Sequence, residues 1–399
     1  MKQRRNFIGI TAADFIVRSA YQIGKTPVLP IFAARLGASW GILGFIVSVS
    51  TLTGMVLKPA VGILSDRWGR YWWLVVGTAL FVGVPFLYRF VQTPEGLIGI
   101  RVIHGLATAI YGPVTLAFVA EQTLANRAEK FGWFGMARQA GYILGPAIGG
   151  WLLLTMNPVS VFTLIGVFSC LALIPVLLLK RDRHTRSWID RPPIRQQAAE
   201  ALKAGIRTPS IWLSGGLESG LFIALYATKA FLPVYASSLG INVALIGTFF
   251  AVQEGTHMVL KPLGGRLGDR FGYIGVIFIG MSLVGIALPL LTLANGMFGL
   301  VLLATAIGAG QALVFPSTIA LVSTQISSAY TGAGMGLIGT LKNVGKVVGP
   351  ILGGVLIDRF DFNQMFQLMG VLLLLGAGII WYWGQRGLGP VSVNVSVQE

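Results

Sequence analysis

Apolar residues fall in long blocks separated by short polar breaks. The blocks run roughly over residues 6–33, 39–65, 72–92, 96–120, 131–156 and 158–179, then over 210–235, 242–266, 273–294, 297–322, 330–356 and 362–384. A helix that crosses a bilayer needs about 20 mostly apolar residues at 1.5 Å rise each, so every block is long enough to be one. The pattern predicts an all-α membrane protein of twelve transmembrane helices in two six-helix bundles. The one long polar stretch, residues 181–208 with Pro192 and Pro193, divides the blocks six and six and reads as a cytoplasmic linker. The predicted organisation is a first bundle over residues 1–180, the linker over 181–208, a second bundle over 209–385 and a tail over 386–399.

The two sets of blocks are copies of one another. Val56–Arg70 aligns with Val259–Tyr273 at an offset of 203, with nine identities in fifteen positions. Gly141, Gly145, Pro146, Gly149 and Gly150 recur as Gly345, Gly349, Pro350, Gly353 and Gly354 at an offset of 204. Two long matches at nearly one offset indicate a duplicated six-helix unit, which makes the bundles pseudo-symmetric.

Composition agrees with a lipid solvent: 54% of residues are apolar and only 11% are charged, against about 25% charged in soluble domains. The net charge of +16 would suggest a nucleic-acid partner in a soluble protein. Here the cations sit in alternate breaks, at Lys2, Arg4 and Arg5, at Arg67 and Arg70, at Arg127 and Lys130, along the linker, at Arg266 and Arg270 and at Arg386. That is the positive-inside signature, and it predicts a multi-pass protein of the cell (inner) membrane with both termini cytoplasmic and no nucleic-acid partner. Cys170, the single cysteine, lies inside an apolar block and excludes disulfides and cysteine metal clusters. Asp14 and Arg18 interrupt the first apolar block, which is therefore read as an uncleaved membrane helix.

The break between the second and third blocks reads Gly62-x-x-x-Asp66-Arg67-x-Gly69-Arg70, and its copy reads Gly265-x-x-x-Asp269-Arg270-x-Gly272. A tight turn there needs glycine, and the charges must remain at the surface. This segment resembles the signature loop of the major facilitator superfamily, with Tyr71 in place of the last cation and with Tyr273 and Ile274 replacing both in the copy. The resemblance implies a cytoplasmic gating latch in which Asp66 faces a neighbouring helix N-terminus, with Asp269 a weaker version. A purely topological anchor is the other reading. Arg101-x-x-His104-Gly105 in the fourth block is similar to that family's Arg-x-x-Gln-Gly signature, with His104 departing from it. The resemblance implies that Arg101 assists proton movement or holds a carboxylate; structural pairing is the alternative. The ladder Gly141, Gly145, Pro146 and Gly149, repeated as Gly345, Gly349, Pro350 and Gly353, resembles the signature of the drug:proton antiporter branch, or forms a generic packing seam that lets helices approach closely.

Charges inside the blocks are the most informative feature. Asp14, Arg18, Tyr21 and Lys25 lie at i, i+4, i+7 and i+11, within about 60° of one another on a helix. Asp14 and Arg18 are expected to act as a pair. Glu218 and Lys229 stand 204 residues after Asp14 and Lys25, and Glu254, His257 and Lys261 form a second stripe. The third, sixth, ninth and twelfth blocks carry no central charge, as lipid-facing helices would. Glu218, Glu254 and Asp14 are the candidates for proton coupling. Arg18, Tyr21, Lys25, Arg101, His104, Tyr226, Lys229 and Gln311 are the candidate substrate or cavity residues. Adding Arg138, Lys342 and Lys346 gives seven intramembrane cations to three acids, a balance that favours an anionic or zwitterionic substrate group unless residues such as Lys25 snorkel to the headgroups.

No Gly-x-x-x-x-Gly-Lys-(Ser/Thr) phosphate loop is present. The expected protein is no enzyme, needs no cofactor or metal, and draws on an ion gradient or runs downhill. The resemblance implies a monomeric secondary transporter working by alternating access, read as a proton-coupled exporter of small amphiphilic compounds. A carrier of an organic anion or lipid-like molecule is the alternative, and a non-transporting membrane sensor or scaffold is the reading of a different class.

Overall fold

The computed structural model describes residues 2–122, 127–179, 209–294, 296–323 and 331–385. The linker and tail expected at 181–208 and 386–399 lie outside them. No strand occurs among the described residues. The twelve segments are helical, numbered here in chain order. Segment 1 runs through Lys2–Ile23, a wider turn at Gly24–Val28 and Leu29–Arg35; segments 2 to 6 are Trp40–Trp68, Arg70–Leu87, Pro94–Gln122, Arg127–Leu152 and Pro158–Cys170, the last continued by Leu173–Leu177. Segments 7 to 12 are Pro209–Ser238, Val243–Phe271, Tyr273–Leu290, Met297–Ser323, Thr331–Arg359 and Phe362–Gln385.

Ten of the twelve contain spans long and apolar enough to cross a membrane. The remaining two are segments 1 and 5, which hold Asp14, Arg18 and Lys25 and Glu129, Lys130 and Arg138 respectively. Large apolar side chains lie exposed along other segments, among them Val76, Leu116, Val167, Ile279, Leu302 and Leu375. In a water-soluble protein such a surface would be a liability; in a bilayer it is the lipid contact.

Several breaks are closed by short polar side chains that cap the next helix. Ser39 accepts from the Ile42 N–H at 3.4 Å, Thr93 from Gly96 at 3.2 Å, Asn157 from Ser160 at 2.8 Å and Asp361 from Gln364 at 2.6 Å. Each satisfies a backbone donor that the helix start leaves orphaned.

The described residues divide into two compact units. The first comprises segments 1 to 6 with residues 225–254 and 346–365; the second comprises residues 209–224, 255–345 and 366–385. Within the first unit segment 1 packs on segment 5, segment 2 on segment 4, and segment 3 on segments 4 and 6. A Cβ on Gly145 would lie 2.4 Å from the Gln22 Cβ, and one on Gly149 would lie 2.6 Å from the Ile23 carbonyl oxygen. Glycine is therefore what allows segments 1 and 5 to touch backbone to backbone. The same unit contains two seams related by the repeat. Gly44 lies against the Pro350 carbonyl and Gly247 against the Pro146 carbonyl, where added Cβ atoms would stand at 2.1 and 2.4 Å.

Candidate functional site

Segment 1 places Asp14 against segment 5. The carboxylate is 1% exposed and receives Arg138 through both oxygens, Nε to Oδ2 at 3.0 Å and Nη2 to Oδ1 at 2.9 Å. Thr115 of segment 4 accepts a further hydrogen bond from Arg138 at 3.2 Å. Arg18, one turn along from Asp14, approaches it only to 3.6 Å, beyond normal hydrogen-bond length. The expected pair exists, yet the tighter partner lies 124 residues away.

The second unit holds a counterpart. Glu218 is 0% exposed, faces the Lys342 ammonium of segment 11 at 2.8 Å and accepts a hydrogen bond from the Thr318 hydroxyl of segment 10. Glu218 follows Asp14 by 204 residues, Lys342 follows Arg138 by 204 and Thr318 follows Thr115 by 203. One construction, an acid, a cation and a threonine from three helices, is thus present in each half. The chemistry differs. A guanidinium holds a carboxylate by a planar fork and stays charged, whereas an ammonium is a single point charge on a flexible stem. Phe222 and Phe315, stacked 5.0 Å apart, wall the Lys342 side.

Besides its triad, the first unit holds a larger cluster of charged and aromatic side chains. Arg101, 2% exposed, donates from Nε to the Ile46 carbonyl at 3.3 Å and from Nη2 to Ser50 Oγ. Ser50 shares a hydrogen bond with Tyr21 at 3.2 Å. His104 meets the Tyr88 hydroxyl at Nδ1, 3.3 Å, and packs edge-on against Tyr21 and Phe81. Lys25 extends between the Tyr21 and Tyr226 rings, 5.5 and 5.2 Å from their centres. Lys229 pairs with Glu254 at 2.7 Å, and Gln139 donates to the same carboxylate at 3.3 Å. Two small pockets lie here, each about 10 Å³, room for little more than one water molecule in this structure. One is lined by Tyr21, Lys25, Phe81, Arg101, His104 and Phe162 among others, and the other by Gln22, Lys25, Tyr142, Tyr226, Lys229, Phe250 and Glu254. Gln311 is buried in the second unit. No cluster of three or more metal-binding side chains occurs among the described residues.

The profile of the Major Facilitator Superfamily matches residues 15–253 and again 217–394. The chain belongs to the major facilitator superfamily. It is similar to Multidrug resistance protein 1 of Bacillus subtilis, 27% identical over 90% of this chain and 91% of that one. It is likewise similar to Quinolone resistance protein NorA of Staphylococcus aureus, 26% identical over 89% and 90%. Its fold superposes on the crystal structure of the nucleoside transporter NupG with a TM-score of 0.78 over 94% of this chain and 98% of that one, at 14% identity. The protein is a multi-pass membrane transporter of small molecules, with the all-helical fold of its superfamily.

The superfamily's loop is a single sharp turn. Segment 2 remains helical to Trp68, and the chain turns at Gly69 alone, with φ at 86°; Gly272 repeats this at 88°. Gly62 and Gly265 lie inside helices, so the turn glycines are Gly69 and Gly272, where side chains would be strained. Arg70 reaches Glu121 at 2.8 Å and the Ala117 carbonyl, clamping segment 3 to segment 4. Asp269 accepts from Tyr273 at 2.8 Å, so the tyrosine that replaces the cation engages the acid instead. The side chains of Asp66 and Arg67 lie outside the described residues. Arg270 packs against the Phe271 ring.

The ladder residues Gly141, Gly145 and Gly149 all face segment 1, and Pro146 lies at a seam with Gly247. Gly345 faces Ser219 in the second unit; Gly353 faces Ala227 and Phe231 in the first, where Pro350 meets Gly44. Gly349 is buried on the same helix. Arg138 and Lys342, counted in the sequence only as intramembrane cations, are the partners of the two acids; Thr115 and Thr318 complete these networks, and Ser50 accepts from Arg101. Arg138 and Lys342 share the 204-residue offset, a signal that was available in the repeat.

Proposed function

We propose that this transporter is a proton-coupled exporter of small amphiphilic compounds, operating as a monomer by alternating access. Glu218 serves as the coupling carboxylate and Asp14 as a fixed strut. The observation that carries this reading is the unequal pair of triads. Asp14 is forked by a guanidinium through two hydrogen bonds, which holds it in place. Glu218, fully enclosed, is held by one ammonium and one hydroxyl, both of which can re-pair when the acid takes a proton. A buried carboxylate of that kind is the default candidate for a proton relay in a membrane. The names of the two curated relatives, which concern multidrug and quinolone resistance, support export of drug-like molecules. The alternation of basic and weakly charged breaks supports cytoplasmic termini, and the repeat supports bundles at 1–180 and 209–385.

The test is transport into proteoliposomes. Glu218→Gln is expected to abolish accumulation driven by an imposed pH gradient while leaving substrate exchange at equal pH largely intact, since the amide keeps the shape and cannot release a proton. Full gradient-driven accumulation by that variant would remove Glu218 from the coupling step.

A further inference from the structure

Lys25 stands out among the charged groups in the membrane. Asp14 is taken by Arg138, Glu218 by Lys342, and Glu254 by Lys229 and Gln139. Lys25 has no carboxylate partner among the described residues; the group that favours its charge is the Tyr21 hydroxyl, and the other charges around it, Arg101, Lys229 and Lys58, are cations. It does not snorkel to an interface, because its ammonium lies between two tyrosine rings and it lines both pockets. The backbone explains its position. Thr26, at φ −147° and ψ 120°, leaves helical geometry, and Pro27 has no N–H to give, so segment 1 breaks beside Lys25.

The two pockets together present Lys25, Arg101 and Lys229 against one acid, Glu254. Among the described residues Arg101 is bound to a carbonyl, a serine and the Tyr21 and Tyr88 hydroxyls, with no carboxylate among them. Cations gathered in a low-dielectric site repel one another, and an unpaired one is costly until an anion arrives. Phe81 and Phe162 line one pocket, and Phe250 and Tyr226 line the other, so a ligand admitted when the site widens during alternating access meets aromatic faces.

We infer that the substrates of this transporter are anionic aromatic amphiphiles, and that Lys25 binds their carboxylate. This rests on the reading of the chain as an exporter of amphiphiles and specifies the charge that the site selects. An acid neutralises Lys25 and leaves its ring against the aromatic walls. The matching amine adds a fourth cation.

The test uses binding to the full-length protein in detergent, with naphthoate and naphthylmethylamine as probes of one ring and opposite charge. Wild type is expected to bind naphthoate about tenfold or more tightly than the amine, since a hydrogen bond to a charged group is strong enough to give such a factor. Lys25→Gln should weaken naphthoate by a similar factor, and Lys25→Arg should restore most of it. Tighter or equal binding of the amine overturns the inference, as does unchanged naphthoate affinity in Lys25→Gln. If Lys25→Gln loses its native melting transition, the acid-to-amine ratio of wild type and the affinity of Lys25→Arg decide the matter. Binding is read with no gradient present, so loss of the coupling role of Glu218 would leave this result standing. A transporter that drives the amine and rejects the acid would sink this inference alone.

Discussion

Breaking the Asp14–Arg138 fork should cost more than breaking any other ion pair in the first unit. The acid is 1% exposed and Arg138 is 21% exposed, and the two are joined by hydrogen bonds of 3.0 and 2.9 Å. Removing one member of a buried pair costs about 3–5 kcal/mol. Arg138 keeps some solvent and a bond to Thr115, so Asp14→Asn is expected near the lower end, about 3 kcal/mol. Two charge-assisted bonds should couple Asp14→Asn to Arg138→Gln by about 2 kcal/mol or more. The single 3.6 Å approach of Arg18 should couple to Asp14 by less than about 0.5 kcal/mol. The assay is a pair of double-mutant cycles on denaturant unfolding in detergent micelles, each cycle sharing Asp14→Asn. Additive effects for Asp14 with Arg138, or a larger coupling with Arg18, would refute the assignment of partners.

Three further outcomes follow from the packing and the surface. Gly145→Ala places a methyl group 2.4 Å from Gln22 and should lower the melting temperature of the purified protein. Gly62→Ala meets nothing within 4 Å in a mid-helix position and should be neutral or stabilising by about 0.5–1 kcal/mol; equal losses in these two variants would count against the contact between segments 1 and 5. Gly69→Ala, forced to φ near 86°, should be destabilising by about 1 kcal/mol in the same melting assay, and an unchanged transition would show that the turn relaxes. Arg70→Gln gives up a contact to a half-exposed Glu121, so its unfolding free energy should change by no more than about 1 kcal/mol; a larger loss would make the clamp a core element.

The fold was legible because a bilayer imposes one length on every apolar block, and duplication wrote the pattern twice. The carboxylates were legible too, since Asp14, Glu218 and Glu254 each interrupt an apolar run. Their partners were harder to find. Helical periodicity compares residues one turn apart and so points Asp14 at Arg18, while Arg138 comes from a helix 124 positions on. The signature loop needed a glycine for its turn, and the backbone angles show that Gly69 and Gly272 supply it. The break at Thr26 was marked by Pro27, whose effect depends on whether the neighbouring helices accept the distortion. Segment 7 carries a proline too, Pro233, and stays continuous from Pro209 to Ser238.

The two triads differ in the acid, aspartate at 14 and glutamate at 218, and in the cation, arginine at 138 and lysine at 342, and each of these replacements can be made by a single base change. If coupling rests on Glu218 as proposed, a duplicated carrier of this design has its moving acid and its fixed acid only a few conservative substitutions apart. Exchanging the two cations, Arg138→Lys with Lys342→Arg, would then transplant the titrating role from one half to the other without redrawing the fold. Descendants of one ancestral duplication could therefore drive the same cavity from opposite halves, and the half that carries the lysine would reveal which.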